Sequence, residues 1–419
     1  MEKREAGLLL CFFLSGRNIP QSRLDSLSPA DWANLADRAL RFKVEGLFYR
    51  EIKSRDLPAE LVPLAVRNTL RKAYRDLATR NSNLFFDAAN VLKSLAENKL
   101  PVMALKGLAL AKNIYGDIAL RPMADIDLLL KEEDLIRAGR ILLTLGYKQC
   151  LPAWENMVKT YHHLPPFTNK NGTTIELHHN IVTPDSPVKV DLDGLWARAR
   201  LIKVDQIDVR AFSAEDLFLY LCIHACFHLQ TGMDLIPFCD IAGLMKISAD
   251  KIDWQIVISR ATRWGGRKCV YLMLLLVREL LGAAPPDEIM SEIKPGDYQP
   301  AFFAEALEQI FDEKPASQLI RRRIGKLAKI NKVKGIKGKV STLLKGAFPT
   351  RAYIARIYPV SVSSPKIYLY YFIRLGRLSV YYAKVFYRLV RHDQSVLKAV
   401  DQEQRVSAVS DWLFSNAKN

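Results

Sequence analysis

Asp125-Ile-Asp127 runs straight into Leu128, Leu129 and Leu130, and no other stretch of the chain constrains its fold as tightly. Followed by this apolar run, the pair reads as the entry to a buried strand. Side chains two apart on a strand share a side. The spacing therefore predicts two carboxylates projecting together where a core strand begins. Crowded acids repel unless a cation sits between them, and hard oxygen donors suit Mg²⁺ or Mn²⁺. An exposed strand with two incidental aspartates has the same spacing, so the flanking segments carry the decision.

Upstream, Leu100-Pro-Val-Met-Ala-Leu-Lys-Gly107 reads as a short apolar strand ending on a glycine, and Leu108–Tyr115 as the helix that follows. A strand, a glycine and a helix start leave free backbone N–H groups at the positive end of a helix dipole, a cradle for phosphate. Lys106 sets one cation beside it and Arg121 a second. Downstream, Asn171-Gly172 is a strong hairpin-turn dipeptide, and Thr173–His178 alternates as a strand does. Glu176 on that strand is placed to join Asp125 and Asp127 as a third carboxylate. A phosphate cradle, paired acids and a third acid form a constellation that outweighs any single part.

Leu105-Lys106-Gly107, Tyr115, Arg121, Asp125-Ile-Asp127 and Glu176-Leu-His178 together resemble the uncharacterised nucleotidyltransferase family of the DNA polymerase beta-like superfamily. Lys131–Tyr147, His224 and Asp240-Ile-Ala extend the resemblance over roughly residues 1–290. It implies an α+β fold, a small mixed-sheet core flanked by N-terminal and C-terminal helical domains. It also implies transfer of a nucleoside monophosphate from an NTP, ATP among them, to an acceptor, with release of pyrophosphate. Asp125, Asp127 and Glu176 would hold two divalent ions, spaced ~3.5–4 Å apart as in two-metal sites. Lys106, Gly107 and Arg121 would bind the triphosphate and offset charge on the departing pyrophosphate. The superfamily usually has Gly-Gly or Gly-Ser at the phosphate turn, whereas Leu108 follows Gly107 here. A catalytically silent nucleotide- or partner-binding protein of the same fold is the alternative that this departure raises. The acceptor is open: a sugar phosphate, a small metabolite, a protein side chain or an RNA end.

The composition is globular, with 49% apolar and 25% charged residues in 419. Six cysteines without disulfide-scaffold spacing point to a reducing compartment. The apolar run Leu8–Leu14 follows acidic Glu2 and Glu5 and lacks a cleavage motif, so it reads as a helix rather than a signal peptide. No stretch reaches ~18 uninterrupted apolar residues, and a cytoplasmic protein without a spanning helix is expected.

Charge is concentrated at one end. Lys314–His392 holds nineteen Lys or Arg and no acid, leaving 42 basic against 44 acidic residues elsewhere. Within it, Arg321–Lys339 reads as solvated helix or loop. In Lys366–Arg391, basic residues recur at helical spacing among tyrosines and phenylalanines, which suits a helix lying on an anionic membrane. Packing of that helix on the protein body is an equal alternative, and a membrane-surface scaffold acting through it is a further one. Nucleic acid is a third partner for such charge, but no binding motif accompanies it.

These signals divide the chain into a helical segment over 1–80, the α/β core over 81–182, a helical domain over 183–300 with a strand pair around Ile202–Val209, and a basic, mainly helical region over 301–419. Cys222, His224, Cys226 and His228 invite a zinc reading. On a helix, however, Cys222/Cys226 and His224/His228 form two pairs that point apart. His178 shares a side with Glu176, where contact with acceptor or phosphate and a supporting hydrogen bond are both open. Asp240 reads as a structural acid.

Overall fold

Ser28 caps a helix near the N-terminus: its hydroxyl accepts from the Asp31 N–H, and the Asp31 carboxylate accepts from the Ser28 N–H. Such a reciprocal cap is worth about 1 kcal/mol. The computed structural model describes residues 1–415 except 56, 59, 150–153, 155–157, 159–160, 230–233, 250, 312–346, 359, 361–363 and 392–393. The segment Arg321–Lys339 thus lies outside the described residues.

Helices α1 (Lys3–Leu14), α2 (Gln21–Asp25), α3 (Pro29–Arg41) and α4 (Glu45–Ser54) lead into the long α5 (Leu64–Glu97). Leu70, Leu77, Leu84, Ala88, Val91 and Leu95 recur at intervals of three, four or seven along α5 and are buried, which makes one apolar stripe. The upper part of that stripe joins the core beneath the sheet.

Strands β1 (Met103–Ala104), β2 (Ile126–Leu129), β3 (Lys148–Gln149), β4 (Phe167–Thr168), β5 (Thr174–His178), β6 (Arg200–Val204) and β7 (Ile207–Ala211) form one mixed sheet, in the order β3-β4-β5-β2-β1-β7-β6. β2 runs parallel to β5 and antiparallel to β1, and β1 runs parallel to β7. Helices α6 (Lys106–Asn113), α7 (Leu135–Thr144) and α8 (Leu192–Ala197) are interleaved. Gly172 takes the left-handed φ of 84° in the β4–β5 connection, as its hairpin dipeptide predicts. The expected α+β class, a mixed sheet between helical segments, is the architecture found. The strand pair around Ile202–Val209 adds to this same sheet beside β1, so the sheet continues past residue 182.

Every residue of β2 is buried. Ile126, Leu128 and Leu130, with Ile175 and Leu177 of β5, pack into the core alongside residues of α5 and α7. The two-residue period then assigns Asp127, Glu176 and His178 to the opposite face. Helices α9 (Ala214–Leu229), α10 (Ile236–Ile247), α11 (Trp254–Trp264), α12 (Arg267–Leu281), α13 (Asp287–Ile293) and α14 (Pro300–Phe311) follow. The first turn of α9 is anchored by Asp216, fully buried and clamped by Arg198 and Arg260 at 2.9 Å each.

The chain forms two compact units, one of Met1–Phe311 with Trp412–Asn419, the other of Asp312–Asp411. In the first, Trp412 stacks on Phe302 and donates its indole N–H to Asp297. The second contains α15 (Arg351–Ile357), α16 (Ile367–Val390) and most of α17 (Gln394–Phe414). Among the described residues no helix is long and apolar enough to cross a membrane.

Candidate metal and nucleotide site

Parallel pairing of β2 and β5 sets Asp127 against Glu176 and Leu129 against His178. His178 Nε2 lies 3.0 Å from Asp127 Oδ1 and 3.4 Å from Glu176 Oε2. Each of the three residues offers one donor atom, and those atoms lie within 4.8 Å of one another. The donors are close enough to share one ion, and their chemistry fits a divalent cation. Asp125 is half-buried just before β2. Burial, then the charges of Asp127 and Glu176, push its carboxyl up to about 6. Burial also opposes ionisation of Asp127, but Lys106 and His178 outweigh it and hold that carboxyl well below the usual range. Glu176 is lowered by its hydrogen bond to His178, against the pull of burial. His178 is raised: burial lowers it, but the bonds to Asp127 and Glu176 prevail.

The β1–α6 turn delivers the lysine. Lys106 adopts φ 34°, a left-handed conformation that costs a non-glycine residue roughly 1–3 kcal/mol and tends to mark functional turns. Its Nζ reaches Asp127 Oδ2 at 3.4 Å. Burial favours the neutral amine, but the Tyr220 hydroxyl, to which it hydrogen-bonds, and Asp127 and Asp125 hold it firmly charged. At Gly107 a Cβ would meet Met123 Sδ at 2.7 Å, so any side chain there would force the buried Met123 to shift. No side chain caps the start of α6, which leaves its first N–H groups for a ligand. Leu108 turns into the core, 2% exposed, so it contributes packing rather than a polar contact at the turn.

Arg121 is buried, and its guanidinium is engaged from behind the turn. Nε and Nη2 donate to the two oxygens of Asp240 at 2.9 and 2.8 Å. The Tyr115 hydroxyl donates to Asp240 as well, at 2.7 Å. Nη1 lies 3.4 Å from where a Cβ on Gly107 would sit. The structure thus brings Asp125, Asp127, Glu176, Lys106 and Gly107 together and sets Arg121 as a strut between that cluster and α10, with Asp240 in the structural role its sequence context predicts.

One wall of the site escapes the strand-based reading. Tyr220, His224 and His228 recur every four residues on α9, a signal that identifies one helix face. His224 is half-buried; desolvation, and then Lys106 and His228, push its pKa well below the ordinary value. Its Nε2 is 3.1 Å from that of His228. His162 and His163 pack their rings against His178 at 5.5 and 5.0 Å, and burial lowers His162 to about 4. Cys222 and Cys226 are buried, and the Cys226 thiol points to the Cys269 carbonyl at 3.6 Å. The two cysteines and two histidines therefore serve different surroundings, as their helical spacing predicts.

Carboxylates thus meet across two central strands, with a lysine at a helix start beside them. The chain belongs to the uncharacterised nucleotidyltransferase family, whose model matches residues 28–282. That span runs from the cap of α3 to just past α12 and contains every site residue named above. No curated protein and no solved structure matches the chain.

Proposed function

We propose that the protein transfers a nucleoside monophosphate from an NTP to an acceptor hydroxyl, releasing pyrophosphate, in a reaction dependent on Mg²⁺ or Mn²⁺. The observation that carries this reading is the Asp127–Glu176 pairing with Lys106 3.4 Å from Asp127. Asp125, Asp127 and Glu176 would hold the divalent ions, which when bound supply charge neutralisation and activation of the acceptor oxygen. Lys106, kept cationic and oriented by Tyr220, meets the triphosphate where negative charge accumulates as pyrophosphate departs. Gly107 keeps the α6 N–H groups open to close approach. Arg121, tied to Asp240, supports this turn and adds positive potential from behind. Incubation with each labelled NTP, Mg²⁺ and cell extract tests the reading: an acceptor becomes labelled with the native protein and not with Asp127→Ala. Nucleotide binding without any labelled acceptor would instead identify a silent member of the fold.

The second unit favours a membrane-surface location for an otherwise cytoplasmic enzyme. Leu369, Ile373, Val380 and Tyr387 follow one face of α16 at intervals of four or seven, with Phe372 beside them, and all are exposed. The packed side lies elsewhere: Tyr370 stacks on Tyr358, and Arg374 lies over Tyr353. An apolar stripe exposed among the described residues, within a segment of nineteen cations and no acids, matches an anionic bilayer. The side chains of Tyr381, Tyr382, Lys384, Phe386 and Arg388 lie outside the described set.

A further inference from the structure

β5 ends in Glu176-Leu-His178, so its period of two brings an imidazole alongside the third carboxylate. His178 is 4% exposed. Its Nε2 sits between Asp127 Oδ1 and Glu176 Oε2, while Lys106 takes the other oxygen of Asp127. Its Nδ1 is buried with no hydrogen-bond partner among the described residues. When Nε2 gives its lone pair to an ion, Nδ1 carries the ring's proton; Nε2 is the nitrogen directed at the two carboxylates, and its donor atom lies within 4.8 Å of theirs. The rings of His162 and His163 confine the imidazole in that orientation.

We infer that His178 is itself a ligand of the ion, giving one nitrogen and two oxygen donors that select a first-row transition ion such as Mn²⁺ or Co²⁺ over Mg²⁺. The inference rests on the reading above that Asp127 and Glu176 hold an ion. Mg²⁺ takes oxygen donors and keeps its waters, whereas imidazole adds affinity for ions later in the transition series. The superfamily-like acid pair alone carries no such preference; the nitrogen supplies it.

The test uses the full chain loaded with Mn²⁺. Pulsed EPR is expected to show nitrogen coupling to the ion that changes character when the protein is grown with ¹⁵N-histidine, a readout that needs no mutation. In titrations, His178→Gln is expected to weaken Mn²⁺ binding by more than the roughly 10–100-fold that loss of a mere outer-shell partner costs, with a smaller loss for Mg²⁺. His178→Asp, an all-oxygen set, is expected to restore Mg²⁺ binding and reverse the preference. Mn²⁺ that is lost in Asp127→Asn yet shows no nitrogen coupling in the native chain overturns the assignment and leaves the carboxylate site standing. So does coupling that survives in His178→Gln. Mn²⁺ binding indifferent to Asp127→Asn removes the ion site itself, and this inference with it.

Discussion

Asp125 is a carboxyl that the metal-free site holds at a cost. Its pKa is raised to about 6, by burial first and then by Asp127 and Glu176. A raised carboxyl contributes stability below its unfolded value of about 4, and that contribution is lost as pH rises through the folded value. Asp125→Asn is therefore expected to stabilise the chelator-treated protein at pH 7.5 by about 1–3 kcal/mol, and to match the native chain near pH 4. Thermal melts at both pH values check this, and equal stability at pH 7.5 would refute the crowding of charge. Lys106 gives a second residue-scale outcome. Lys106→Ala is expected to weaken nucleotide binding increasingly from mono- to di- to triphosphate; an equal loss for all three marks a structural lysine. The acids and Lys106 were legible in the sequence because strand period and helix start are local properties. The role of Arg121 was not, since its partner Asp240 lies 119 residues away and no local pattern reports such a pairing.

Among the elements, β1, α6 and β2 form the cradle, and α10 braces it through one buried ion pair. Removing one partner leaves the other charge buried and unpaired, which typically costs about 3–5 kcal/mol. Asp240→Ala is accordingly expected to lower stability to urea by about that amount, although Asp240 has no direct part in the proposed chemistry. A loss under about 1 kcal/mol would show that the strut relaxes without it. The hairpin of β6 and β7 was legible as a strand pair. Its place in the sheet was not, because the parallel pairing of Met103 with Arg210 joins segments about a hundred residues apart. The amphipathic spacing of α16 was equally plain, yet whether its apolar face is covered is a tertiary matter. With that face exposed, the full chain is expected to sediment with anionic vesicles at low salt, less so at high salt, whereas Phe372→Glu with Val380→Glu stays in the supernatant. Sedimentation of the double variant equal to the native chain contradicts the membrane reading.

At the scale of the whole molecule, charge and family divide the chain at different places but to one effect. The family match ends at residue 282, and the acid-free basic run begins at Lys314. A near-neutral body thus carries the strand carboxylates, and the cationic segment is an addition to it. The central claim concerns the body alone: its carboxylates and lysine direct transfer of the α-phosphoryl group with its nucleoside. The direct measurement compares NTP labelled at the α-phosphate with NTP labelled at the γ-phosphate, each incubated with Mg²⁺ or Mn²⁺ and cell extract. The account predicts that α-label enters an acceptor while γ-label appears only in pyrophosphate, and that Asp127→Ala abolishes both. Entry of γ-label into the acceptor, or α-label transfer that survives Asp127→Ala, would contradict it.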